Sequence, residues 1–250
     1  TVGNGTPASN SLSFDGNDDV VDFTANNLPS GNTEITLNVA VYINSNPSGV
    51  QYFLSYGDGA NIGDNFGIGI YGSSGIFSTF TGGNYDVISN VDVPNNGWHY
   101  ITAVHKLNGE VELYLDGSFI YSQIVTTPNI IPLSGKIGAT VAGNNQIFNG
   151  LISQSSIWSK ALTQSEIQYY ISNPPTGNEA DLVGYWNFNE GIGNTVNDLS
   201  GNGNNGTING ATWSTDSPIQ SSYNCSATDD VVVTVNPLPT IDLGADTTLI

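Results

Sequence analysis

Two loops place short oxygen-bearing side chains at alternate positions. Asp15, Asn17 and Asp19 form one, and Asp198, Ser200, Asn202 and Asn204 form the other. Calcium takes about six to eight hard oxygens, mixing carboxylates, amide carbonyls and backbone carbonyls. Glycines between such ligands let the backbone wrap an ion. Neither loop is an EF-hand: the first lacks glycine at its sixth position, and neither has glutamate at its twelfth. The competing reading is a set of Asx turns with no metal.

A third oxygen-rich loop is Asp58-Gly59-Ala60-Asn61-Ile62-Gly63-Asp64-Asn65. Together with Tyr56, Tyr71, Phe80, Asn84, Tyr85 and Asp86 it could line a glycan face. Aromatic rings stack on sugars, and Asn and Asp bond hydroxyls. The expected ligand-binding set is Tyr56, Asp58, Asn61, Asp64, Tyr71 and Tyr85. Against it stands the plainer reading, favoured here, that the rings pack in a sheet and the loop is merely solvated.

Catalytic constellations are weaker. Glu110, Glu112 and Asp116 share a strand face by parity, and paired carboxylates about 5 Å apart hydrolyse glycosides with retention. The run adjoins a tight hairpin, so an exposed sheet face explains it better. His99 and His105 lie roughly 20 Å apart by strand rise and cannot share a metal. There is no Gly-x-Ser-x-Gly, His-Glu-x-x-His, Cys-x-x-Cys or phosphate loop. Cys225 is alone, without a bridge partner or a visible activating base.

Charge narrows the partners. The chain carries 3 basic residues, all lysine, against 22 acidic ones, a formal net charge of −19. Nucleic acid is excluded, because phosphate binding needs clustered Lys and Arg. Anionic membrane surfaces are repelled as well. Bound cations would relieve the self-repulsion. With 38% hydrophobic and 10% aromatic residues, this is not a disordered acidic tail. No apolar run of about 18 residues is present, so no membrane insertion is expected. The absence of Met and of a signal peptide reads as a mature fragment.

The elements that must position these groups are strands. Thr33 to Ile43 puts Ile35, Leu37, Val39, Val41 and Ile43 on one face. Comparable runs are expected at 51–56, 65–71, 76–81, 85–88, 98–106, 110–115, 118–124, 135–138 and 148–158. Asp116-Gly117 between two of them is a strong hairpin signal. Turn signals recur about every 8–12 residues, as in a sandwich or barrel. One helix is expected, opened by the capping box Thr163-Gln164-Ser165-Glu166 and closed by Asn173-Pro174-Pro175. Further short strands fall at 184–188, 207–208 and 211–213, and a last one at 229–236.

Several of these stretches resemble a known family. Leu12 to Val21, Trp98 to Val104 with Leu113 to Gly117, Phe148 to Ile152, and Ile157-Trp158 with Ala161-Leu162 and Glu166-Ile167 are similar to laminin-G-like domains of the concanavalin A-like type. They occur in that family's order. The resemblance implies an all-β, two-sheet antiparallel jelly roll with one short helix. It also implies that the two alternating loops lie together and share one structural calcium, held chiefly by Asp198, with Asn202, Asn204, Asp15, Asn17 and Asp19. The Glu-x-Asp-x-(x)-Glu pattern of jelly-roll glucanases is not reproduced around Glu110.

A second stretch, Leu182 to Gly191 with Asp198 to Gly206 and Gly210 to Trp213, resembles the family's opening strand and loop but follows the helix. It is expected to return and complete the same sandwich. One domain is therefore expected at 1–215, with a linker and truncated Ig-like remnant at 216–250. The tail from Cys225 to Pro239 resembles Ig-like repeats of Bacteroidetes-type surface proteins. The expected function is a secreted or cell-surface, non-catalytic, calcium-stabilised module that binds carbohydrate or another surface ligand beside neighbouring domains. A structural adhesin spacer and an atypical glycoside hydrolase are the alternatives.

Overall fold

Strand-forming alternation dominates the chain, and a computed structural model describes residues 8–44, 49–72, 75–79, 86–94, 97–143 and 146–218. Its strands are β1 (Ser11–Asp15), β2 (Val20–Thr24), β3 (Ile35–Ile43), β4 (Val50–Gly57), β5 (Asn65–Tyr71), β6 (Ile76–Thr79), β7 (Val87–Ile88) and β8 (Trp98–His105). β9 (Glu110–Leu115), β10 (Ser118–Ile124), β11 (Ser134–Ile137) and β12 (Asn149–Trp158) precede the helix α1 (Gln164–Ser172). β13 (Leu182–Trp186), β14 (Thr195–Val196), β15 (Gly206–Asn209) and β16 (Thr212–Ser214) follow it.

The strands form two antiparallel sheets. The first runs β10-β9-β8-β3-β12-β1-β16, with β13 also on β12. The second runs β14-β15-β2-β11-β4-β5-β6-β7. This is a jelly-roll sandwich with a single helix among the described residues. Between the sheets lies one core of Leu12, Phe14, Leu37, Val39, Phe53, Phe66, Ile101, Leu113, Phe148 and Trp186, among others. Phe23 and Trp186 pack at 4.5 Å between ring centroids, and Phe53 and Phe148 at 4.9 Å. The rings meet tilted or edge-on, as their quadrupoles favour.

The segment after the helix returns to both sheets. β13 pairs with β12, β15 with β2, and β16 with β1. Each of these apolar strands therefore has a ladder to complete. The strand expected at 229–236 lies outside the described residues.

α1 begins as its sequence dictates. Thr163 Oγ1 accepts from Glu166 N, while the Glu166 carboxylate accepts from Thr163 N at 2.8 Å. Its apolar side packs on the outward face of the first sheet, where Leu162, Ile167, Tyr170 and Ile171 meet Val104, Tyr114, Trp158 and Tyr185. The β9–β10 hairpin docks beside it. Asp116 and Gly117 both have positive φ, 50° and 73°, as a type I′ turn requires. Gln164 and Gln168 each donate a side-chain N–H to Gly117 O. A Cβ on Gly117 would stand 2.8 Å from Gln168 Cγ, so glycine serves both the turn and the contact.

Candidate binding face

The two alternating loops do not meet. Asp15 to Asp19 precedes β2, whereas Asn204 bonds Asn26 just beyond its far end, with Asn26 N donating to Asn204 Oδ1 at 2.7 Å. By strand rise the two places are about 20 Å apart, so one ion cannot join them.

The Asp198 loop is filled by its own chain. Asp198 Oδ1 accepts from Tyr185 N, Ser200 N and Ser200 Oγ, and Oδ2 accepts from Asn204 N. Asn204 is fully buried, and its amide donates to Asn26 O and Val183 O. Asn202 bonds Ser200 and Asn27. Trp186 Nε1 donates to Asn204 O at 2.9 Å. The loop is thus a hydrogen-bonded lid on a core tryptophan, with the Asp198 carboxylate accepting from the chain's own amides and a hydroxyl.

The first loop differs. One carboxylate oxygen from each of Asp15, Asp18 and Asp19 lies within 4.8 Å of the others. Asp19 is buried, and its carboxyl is raised above the usual range by burial, with Asp15 and Asp18 adding repulsion. Asp19 Oδ2 accepts from Asp15 N at 2.8 Å. A Cβ at Gly210 would stand 2.2 Å from Asp19 Oδ1, so glycine there leaves that oxygen its space. Asp15 is instead lowered, by the Asn17 side chain and backbone that donate to it. Asn17 therefore serves as a donor within the loop. Asp18 takes its place in the cluster, because the turn brings together residues that strict alternation separates.

Among the described residues, the expected glycan face around Asp58 to Asn65 is not assembled. Tyr56 is fully buried in the core and donates its hydroxyl to Pro29 O at 3.1 Å. Tyr71 is exposed but ends β5, about 20 Å by strand rise from Asp64 at the other end. Phe80, Asn84 and Tyr85 lie outside the described residues. Asp58 is half-buried and Asn61 exposed. Asp64 is buried, with Oδ2 taken by Asn61 N at 2.6 Å. Its Oδ1 is buried without a hydrogen-bond partner. A lone buried carboxylate oxygen is costly unless a donor or cation reaches it, so Asp64 also fits a hard cation.

A different surface combines rings with polar groups. On the outward face of the first sheet, cross-strand pairs set Asn38 opposite Thr102 and Ser156, Ala40 opposite Tyr100 and Gln154, and Tyr42 opposite Trp98 and Leu151. Tyr185 stands beside Ser156. Trp98 and Tyr42 meet edge-on at 5.9 Å. Thr102 donates to Asn38 Oδ1 at 3.1 Å, but Gln154 Oε1 and the Tyr185 hydroxyl are buried without partners. Burial pushes that hydroxyl's pKa well up, so it stays protonated and able to donate.

The carboxylates of β9 are not arranged for acid catalysis. Lys106 Nζ binds Glu110 at 3.1 Å and Glu112 at 2.6 Å. The lysine hydrogen bond lowers the Glu110 carboxyl, opposite to the shift a general acid needs. Asp116 holds His99 Nδ1 at 2.8 Å and the Tyr100 amide at 2.9 Å.

Comparison with known proteins agrees with this architecture. No curated protein matches the chain. A candidate carbohydrate-binding protein from Bacteroides ovatus superposes with a TM-score of 0.68 at 16% identity, covering 86% of this chain and 62% of that one. Domain 4 of AbnA, a GH43 extracellular arabinanase from Geobacillus stearothermophilus, was solved with arabinotriose. It superposes with a TM-score of 0.50 at 18% identity, covering 64% of this chain and 75% of that domain. NanB sialidase of Streptococcus pneumoniae gives 0.53 at 16% identity, over 65% of this chain and 28% of the enzyme. At these identities the likenesses establish the fold. The sequence model of the concanavalin A-like lectin/glucanases superfamily matches residues 15–168, and the chain belongs to that superfamily.

Proposed function

We propose that the chain is a non-catalytic carbohydrate-binding module whose site is the outward face of the first sheet. The observation that carries this is the set Trp98, Tyr42 and Tyr100 beside Asn38, Gln154 and Tyr185, with the Gln154 oxygen and the Tyr185 hydroxyl unpartnered. Rings supply stacking planes, and amides and hydroxyls supply directed bonds, the pairing a saccharide uses. The arabinanase domain's complex with arabinotriose supports the reading. The ion-paired state of Glu110 and Glu112 weighs against hydrolysis. Calcium is part of the proposal, held at Asp15, Asp18 and Asp19, where it would neutralise converging carboxylates, or at Asp64, where it would meet the unpartnered Oδ1. A secreted or surface setting, in an adhesin or polysaccharide-active protein with neighbouring domains, fits the acidic, basic-poor surface. Among the described residues no helix is long and apolar enough to cross a membrane.

One observation favours a second reading, a structural spacer without a pocket. Ala40 and Thr102 are fully buried although they face outward. A glycan array probed with the whole chain, with calcium and again with EDTA, separates the two. Saccharide binding that Trp98→Ala and Gln154→Ala weaken about tenfold or more supports the module. No binding by folded protein under either condition leaves the spacer. Loss of calcium binding in Asp19→Asn or in Asp64→Asn, read by calorimetry, assigns the ion. Retention in both sinks the calcium part.

A further inference from the structure

The proposed binding face is closed by the chain's own continuation. α1 covers the end of the face near Val104 and Trp158. At the other end the backbone turns back after β16. Ser11, outward on β1, donates Oγ to Asp216 O at 2.6 Å. Trp98, outward on β8, donates its indole N–H to Asp216 Oδ1 at 3.1 Å. Asp216 N in turn donates to Ser214 Oγ at 3.1 Å, which fixes the bend. β12 and β3 separate β1 from β8, so one residue ties together strands three spacings apart, about 14 Å. Pro218, two residues on, is buried. In the row between the two anchors, Ala40, Gln154 and Tyr100 are 0%, 4% and 9% exposed.

We propose that residues 215–218, which follow β16, are a strap that occupies this groove and must lift before a saccharide can enter. The inference rests on the face being the glycan site. Asp216 takes the Ser11 hydroxyl and the Trp98 indole N–H, two donors a sugar hydroxyl would otherwise accept from. The strap is therefore an intramolecular competitor. It lowers apparent affinity by the fraction of molecules in which it is open. Two hydrogen bonds at its middle hold it, one of them at an exposed carboxylate, so the closed state is favoured by a margin that a ligand can overcome.

The test compares the full chain with Asp216→Ala and Ser214→Ala, the second of which removes the bond that fixes the bend and no donor to the sugar, each shown folded by near-ultraviolet circular dichroism. Exposure of Trp98 is read as acrylamide quenching, taken as the difference from the matching Trp98→Phe protein. Affinity is read by calorimetry with a panel of neutral tri- to hexasaccharides. Both variants are expected to make Trp98 more quenchable and to bind about fivefold tighter, the effect of losing one hydrogen bond to the strap. Greater quenching with affinity equal to the parent's overturns the strap and leaves the glycan site standing. Unchanged quenching in both variants overturns the strap by itself. Greater quenching with no saccharide bound by any form removes the glycan reading and the gate with it.

Discussion

At the scale of single residues, Asp198 shows why oxygen spacing misleads. Metal loops and Asx turns both need short acceptors two apart, and the sequence cannot say whether an ion or an amide will fill them. Here amides do. Asp198→Ala leaves Tyr185 N, Ser200 N and Asn204 N without their acceptor. It should cost about 2–4 kcal/mol in urea unfolding, several times a typical surface change, while leaving any calcium response intact. A calcium response that vanishes in the folded variant would return the ion to this loop. Tyr56, fully buried, follows the plainer reading that the rings pack in the sheet. Parity puts Tyr52, Leu54 and Tyr56 on one face. Leu54 and Tyr56 share the core face, and the register shift between Tyr52 and Leu54 turns Tyr52 away from it. A bulge of this kind has no signature in alternation alone.

At the scale of elements, the sequence was far more legible. β5, β9 and β10 occupy the residues that alternation and the Asp-Gly turn delimit, and α1 opens at its capping box. Pairing order was not legible, because nothing local states that β3 lies between β8 and β12. The outward row of β3, β8 and β12 therefore could not be read as one surface. The helix start offers a pH test. Glu166 is held below the usual glutamate range, first by the Lys160 hydrogen bond and then by Thr163. A lowered carboxylate stabilises the fold above its unfolded pKa, and that contribution fades as pH falls through the folded value. Glu166→Gln keeps an acceptor for the cap and removes only the charge. It should cost about 0.5–1 kcal/mol at pH 7 and almost nothing at pH 3, measured by urea unfolding at each pH. An equal cost at both would mean that the charge is not what matters.

At the scale of the whole molecule, a net charge of −19 meets only 3 lysines, each already bound to a carboxylate: Lys106 to Glu110 and Glu112, Lys136 to Asp22, and Lys160 to Glu166. Self-repulsion is thus left to salt. Raising NaCl from about 0.01 to 0.15 M shortens the screening length from about 30 to 8 Å and should raise the melting temperature. Calcium chloride at matched ionic strength should raise it further if Asp15, Asp18 and Asp19 or Asp64 take the ion. Equal melting temperatures in the two salts would mean screening alone. The pairing of β1 with β16 bears on force. Ser11 opens β1 and lies opposite Ser214, which closes β16, so both ends of the described chain leave from one side of the ladder. Tension applied through Ala8 and Pro218 therefore loads the rungs one after another, as a zipper opens, rather than all at once in shear. The bond from Ser11 to Asp216 is the outermost rung and takes the load first. Stretching the chain would lift the strap from the face before it disturbs the core.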